Sequence, residues 1–108
     1  MRACLVHSLP MVASDGACGG HTQPRVAGGN SRVLGHYVRE AGALTLMDAL
    51  RKMSLAPADH LARRVPAMRR KGRVRVGSDA DLVVFDPASV TDRATYREPP
   101  SHLPASRP

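Results

Sequence analysis

At 108 residues the chain holds one domain at most, or part of a larger one. Hydrophobic residues make up 43% but aromatics only 3%, with no Trp and a single Phe, which excludes a core anchored on large buried rings. Sixteen Lys and Arg against nine Asp and Glu give a net charge of +7, a balance that admits a nucleic-acid or anionic-surface partner.

The N-terminal run Ala3-Cys4-Leu5-Val6 is interrupted by His7 and Pro10, which suits neither a signal peptide nor a membrane span. Cys4 and Cys18 make neither a disulfide framework nor a CxxC metal pair, so a reducing, cytoplasmic setting is expected. Met11-Val12-Ala13-Ser14 reads as a short strand buried on both faces, closed by Asp15-Gly16. From Gly16 to Asn30 the glycines at 16, 19, 20, 28 and 29 predict an irregular loop with unusual backbone angles or close approach to a ligand.

Helical periodicity follows. Asn30 or Ser31 can cap a helix whose face is Val33, Leu34, Tyr37, Val38 and Ala41, with Gly42 as its stop. A second helix starts at Thr45, with Asp48 completing a capping-box variant and Leu46, Ala49, Leu50 and Met53 as its apolar stripe. Pro57 suits the first turn of a third, short helix through about Leu61. The period then changes. Val74 and Val76 alternate with Arg73 and Arg75, a turn is expected at Gly77 to Ala80, and Asp81-Leu82-Val83-Val84-Phe85-Asp86 forms the second strand of an antiparallel pair. From about Asp92 the chain is polar and Pro-rich, and no packed structure is expected. The cations Arg63, Arg64, Arg69, Arg70, Lys71, Arg73 and Arg75 read as a solvated loop and strand edge, since no stacking aromatics are interleaved.

Three stretches carry a resemblance: Met11 to Gly16 with Pro24-Arg25 and the helix Ser31 to Glu40; Leu46 to Met53 with Pro57-Ala58; and Lys71 to Pro87. In that order they resemble the C-terminal part of the D-aminoacylase branch of the amidohydrolase superfamily, the N-acyl-D-amino-acid deacylases. Asp92 to Tyr96 is similar to the family as well, so the likeness covers roughly residues 5–98. The fold class implied is α/β. Residues 1–65 would be the end of a TIM-type barrel, with Met11 to Ser14 its last strand and the terminal helices after it. Residues 66–90 would be a two-stranded piece of the small β-sandwich, and residues 91–108 an irregular tail.

The resemblance implies a hydrolase of linear amide bonds that uses zinc. Such a metal lowers the pKa of its water to roughly 7 and polarises the carbonyl. A carboxylate beside that water can take its proton and hand it to the leaving nitrogen. Asp15, at the C-terminal end of a barrel strand where barrel active sites form, matches the metal ligand and general base. Read alone, an Asp-Gly pair commonly just closes a turn. Arg25 matches a position near the substrate carboxylate, where a guanidinium binds two oxygens at once, and His21 in the same loop can line the pocket. His36 and Glu40, four apart on a helix, read as an exposed polar pair, while His7, His60 and His102 have no partners at ligand spacing. The family's His-x-His motif is absent, and a catalytic zinc takes three protein ligands or more. The chain therefore reads as a fragment that needs the N-terminal barrel portion as its partner, takes a small N-acyl amino acid as substrate, and is inactive alone. The competing readings are a basic nucleic-acid-binding module and a non-functional remnant.

Overall fold

A computed structural model describes residues 2–13 and 24–95. Its elements follow the chain as helix α1 (Arg2–Val6), helix α2 (residues 24–40), helix α3 (residues 46–61) and a 3₁₀ turn, Pro66–Arg70. Both long helices change pitch. In α2 the α-helical part Pro24–Arg32 gives way to a wide i→i+5 helix over Val33–Glu40. In α3 a wide segment, Arg51–Leu55, separates Leu46–Leu50 from Ala56–Leu61.

Local chemistry sets most of the boundaries. Thr45 caps α3: its Oγ1 accepts the Asp48 N–H at 3.1 Å and donates to the Asp48 carboxylate at 2.7 Å. Gly42, at φ +55°, ends α2 in the left-handed conformation that favours glycine. The Ala41 N–H closes back on the His36 carbonyl at 2.8 Å, and the Ala43 N–H on that of Tyr37, also at 2.8 Å.

One expectation about the helices is corrected, and another is met in a different setting. Helix α2 begins at Pro24, not near Asn30, because proline fits a first helical position where its missing N–H is no loss. Gly28 and Gly29 therefore lie in a helix and not in a loop. The short helix expected from Pro57 forms as Ala56–Leu61, with Pro57 in its first turn, and it runs on from the rest of α3 without a break. Pro57 follows directly on the wide turn of α3, which relieves the clash a proline makes with the carbonyl four residues back.

The core lies where the start of α3 packs against the wide half of α2. Val33, Leu34, Leu44 and Ala49 are buried, and Leu5, Val12, Val38, Leu46, Leu50, Met53, Phe85 and Val90 pack around them. The apolar stripes expected of both helices are thus the faces that meet. Among the described residues no large side chain is fully buried; Ala49 alone reaches 0% exposure. The scarcity of aromatics has this direct consequence.

No strand forms among the described residues. Residues 11–13 and 72–86, where strands were expected, join no strand ladder. A strand needs a second extended segment to satisfy its backbone groups, and an isolated two-stranded hairpin is marginal at best. In place of the hairpin, the chain turns over residues 75–78, with the Ser78 N–H on the Arg75 carbonyl at 3.1 Å and Gly77 at φ +82°. The Asp79 N–H then reaches the Arg70 carbonyl at 3.0 Å. Asp79 pairs with Arg70 (3.3 Å) and Lys71 (3.1 Å), Asp81 also pairs with Lys71, and Asp59 with Arg73. Lys71 is held above its ordinary pKa, first by the Asp81 hydrogen bond and then by Asp79.

The start of the tail packs, contrary to expectation. Asp86-Pro87 makes a turn in which the Ala88 N–H donates to the Asp86 carboxylate at 2.9 Å, holding that carboxyl below its usual range. Arg39 Nη1 donates to the carbonyls of Pro87 (3.2 Å), Ala88 (3.2 Å) and Val90 (2.6 Å), which ties this turn to α2. Asp92, its side chain 8% exposed, faces Arg32 at 3.7 Å. A Cβ on Gly28 would stand 2.5 Å from Asp92 Cγ, and one on Gly35 2.8 Å from the Val90 carbonyl. These glycines keep the face of α2 low enough for residues 90–92 to cross it.

Candidate functional site

Asp15 and His21 lie outside the described residues, as do Cys18 and His102. What the structure does describe is how the segment leading to Asp15 is fixed. The Val12 N–H donates to the carbonyl of Lys52 at 3.0 Å. Lys52 is 5% exposed, and its Nζ donates to the carbonyls of Pro10 (3.3 Å) and His7. A buried ammonium is costly unless hydrogen-bonded, and here two carbonyls receive it.

The availability of the Lys52 carbonyl follows from the sequence. In the wide turn a carbonyl accepts from the fifth residue on, as Arg51 does from Ala56. For Lys52 that fifth residue is Pro57, which has no N–H. The one donor that could have served it in a normal turn, Ala56, is already given to Arg51. The orphaned acceptor takes Val12 instead, as backbone accounting for a buried group requires. Lys52 and Pro57 together therefore hold the backbone at Val12, three residues before Asp15. Sequence reading missed Lys52 as a positioning residue; a lysine in an apolar stretch five residues before a proline was the available signal.

Arg25 stands in the first turn of α2, on a helix and not in the loop the sequence suggested. No acidic residue accompanies it in that turn. The remaining histidines behave as polar surface. His36 Nδ1 meets Glu40 Oε2 at 2.9 Å, both side chains being about half exposed, and this hydrogen bond holds the Glu40 carboxyl below its usual range. His7 Nδ1 accepts the Leu9 N–H at 3.3 Å, and His60 is exposed. Among the described residues no group of three or more His, Cys, Asp or Glu could hold a metal ion. An apolar cleft between α2, α3 and the 87–90 turn is lined by Leu34, Val38, Leu46 and Val90. Its one charged group, Arg39, is taken up by the three carbonyls already described, so the cleft offers no chemistry.

The chain is similar to several characterised proteins. N-acyl-D-glutamate deacylase of Alcaligenes xylosoxydans xylosoxydans is 46% identical over 100 residues, covering 92% of this chain and 20% of that protein. D-aminoacylase of the same organism is 40% identical over 102 residues, with the same two shares. N-acyl-D-aspartate deacylase, again from that organism, is 42% identical over 95 residues, or 86% of this chain and 18% of the relative. The chain thus spans about a fifth of the length of these relatives. Among solved structures, a D-aminoacylase described by the functional role of its binuclear metal centre superposes with a TM-score of 0.79 at 38% identity, covering 89% of this chain and 19% of that one. A D-aminoacylase mutant in complex with 100 mM CuCl2 gives 0.79 at 37%. The fold implied is of TIM-barrel type, although the described residues contribute helices and no strand of it. The amidohydrolase family model matches residues 9–104, and with nearly the whole chain matched, this protein belongs to the amidohydrolase family.

Proposed function

We propose that this chain supplies the C-terminal part of a metal-dependent hydrolase of linear amide bonds whose substrates are N-acyl-D-amino acids. The observation that carries the reading is the 40–46% identity to three deacylases of such substrates, spread over 86–92% of this chain. In this reading residues 1–65 end the barrel, residues 66–90 belong to the small β-sandwich, and the rest is tail.

Asp15 acts as metal ligand and general base. Its place three residues beyond Val12, which is fixed on Lys52, supports that role, because a base must be held within hydrogen-bond reach of the proton it takes. It receives the proton of the attacking water and passes it to the departing amide nitrogen. Arg25 binds the substrate carboxylate, and the start of α2, free of acidic side chains in its first turn, favours an anion there. His21 lines the same pocket. The metal, which we take to be zinc, supplies a polarised carbonyl and an acidified water. The described residues hold no ligand set for it, so Asp15 shares it with ligands from polypeptide beyond them.

The test is a single-chain fusion in which residues 9–104 replace the matching fifth of the N-acyl-D-glutamate deacylase. The fusion is expected to hydrolyse N-acyl-D-amino acids, and Asp15→Asn to lower kcat by about 10²–10⁴-fold without lowering the melting temperature. Asn fits the same turn geometry as Asp. Activity of Asp15→Asn within about tenfold of the parent would place Asp15 outside the chemistry.

A further inference from the structure

The first half of α2, Pro24–Arg32, is a helix that its own sequence does little to sustain. Gly28 and Gly29 stand at its centre, with Asn30 and Ser31 after them. All four weaken a helix interior, glycine through its backbone freedom and the others by competing for backbone groups. No described side chain of this half belongs to the hydrophobic core, whose members from α2 begin at Val33. Where burial is described within it, Gly28 is the one buried residue, and a Cβ on Gly29 would meet nothing within 4 Å. Something outside the helix must hold these turns.

Asp92 is what covers Gly28. Its carboxylate occupies the space a Cβ of Gly28 would need, faces Arg32 at 3.7 Å and accepts the Ala94 N–H at 2.9 Å. A carboxylate whose side chain is 8% exposed needs partners, and it has these two. Arg32 lies four residues after Gly28 on the same face, and helical side chains lean toward the N-terminus, so its guanidinium returns over Gly28. The segment that carries Asp92 is anchored elsewhere, on the wide half of α2. There the Val90 carbonyl receives Arg39 Nη1 at 2.6 Å and crosses close to Gly35. Residues 90–92 thus run from the well-packed half of the helix to the weak one, and Arg25 stands three residues before Gly28, in the turn beside this clamp.

We propose that Asp92 is a positioning residue for Arg25. By clamping Gly28 it keeps the glycine-rich half of α2 helical, and so fixes the backbone from which Arg25 meets the substrate carboxylate. The inference rests on the function proposed above for the role of Arg25, whereas the clamp itself does not. Without the clamp, the first half of α2 is ordered for only a fraction of the time, and apparent substrate affinity falls by that fraction. Bound substrate selects the ordered helix, so turnover at saturation is spared. Binding lost equally from ground state and transition state raises KM and leaves kcat.

The experiment introduces Asp92→Ala into the full 108-residue chain and into the single-chain fusion, and reads amide exchange at residues 28–30. The helical acceptors of those amides lie in residues 24–26. Exchange there is expected to quicken about tenfold in both proteins, while amides of the wide half keep their rates. In the fusion, KM for an N-acyl-D-amino acid should rise by about the same factor, with kcat within about twofold. Asp92→Asn keeps the size and the acceptor for Ala94 but not the charge, so its effects should be smaller; it carries the same comparison if the alanine variant does not fold. Arg93→Gln, at an exposed neighbour, should alter neither readout. In an Arg25→Gln background Asp92→Ala should raise KM no further, because residues that act through one another are not additive. A general loss of structure would raise it again. Unchanged exchange at residues 28–30 in Asp92→Ala would overturn the proposal, and so would a KM that rises as much in the Arg25→Gln background. Quickened exchange in an inactive fusion keeps the clamp and removes the deacylase reading; an active fusion whose exchange and KM ignore Asp92 does the reverse.

Discussion

Lys52→Met separates the clamp that precedes Asp15 from the packing around it. Methionine is close to lysine in length and apolar, so the stem still fills its place beneath residues 7–12. The change removes the donor to the His7 and Pro10 carbonyls. A hydrogen bond from a charged group contributes about 1.5–3 kcal/mol net, while relief of ammonium burial returns part of that. The expected net loss for the clamp is about 2 kcal/mol, which is about 30-fold in the local opening equilibrium at 1.4 kcal/mol per tenfold. The assay is amide exchange at Val12, whose N–H rests on the backbone of Lys52 and is lost only when the segment lifts away. Arg51→Met is the control, exposed in the same turn and expected to stay within about 0.5 kcal/mol. Pro57→Ala probes the other half of the argument, since alanine returns an N–H at the fifth position from Lys52. With that donor restored, α3 should become better protected and Val12 less so. Unchanged protection of Val12 in both variants would refute the reasoning that ties Lys52 and Pro57 to the approach of Asp15.

Gly28→Val puts a branched side chain where the Asp92 carboxylate lies, and should cost about 1–3 kcal/mol by overpacking while releasing residues 90–95 to fast exchange. Retained protection of Ala94 in that variant would mean that the crossing does not depend on Gly28. The Glu40 carboxyl, held low by the His36 hydrogen bond, should titrate below the usual value of about 4.3 in carbon-detected NMR. Because its folded value is depressed, the pair's contribution is present above the unfolded value and is lost as pH falls through the folded one. A Glu40 midpoint at or above the ordinary carboxylate value would remove the pair from the account of α2.

The helices were legible because their signals are local. Thr45 with Asp48, and Gly42 after Ala41, specify an end within four residues, and the apolar stripes of α2 and α3 are the faces that meet. The start of α2 was misread because Gly28 suggests a loop when weighed alone. Its reason lies 64 residues away, in the approach of Asp92 to a helix face without a side chain. The strands were misplaced for a related cause. Alternation at Val74 and Val76 and the run Leu82 to Phe85 favour strands, yet residues 75–78 form a turn and residues 81–85 join no ladder. Pairing, however, is a property of two segments, and the sequence of one segment does not say whether its partner is within reach.

The candidate site divides along the same line. Asp15 became a candidate only through the conjunction of three separated stretches, because an Asp-Gly pair by itself encodes no more than a turn. Its support, by contrast, follows from counting donors. A carbonyl whose fifth neighbour is proline and whose fourth neighbour's N–H is taken has no helical partner, so it must be met from outside the helix. In this chain Val12 meets it, three residues before Asp15. That arithmetic needs only the positions of Lys52, Ala56 and Pro57 once the wide turn is known, and the turn itself is the geometry in which a proline at 57 can follow without a clash. The residue expected to carry the chemistry and the residue that fixes its approach are therefore written in different ways: one as a family pattern, the other as a backbone acceptor that the helix cannot satisfy.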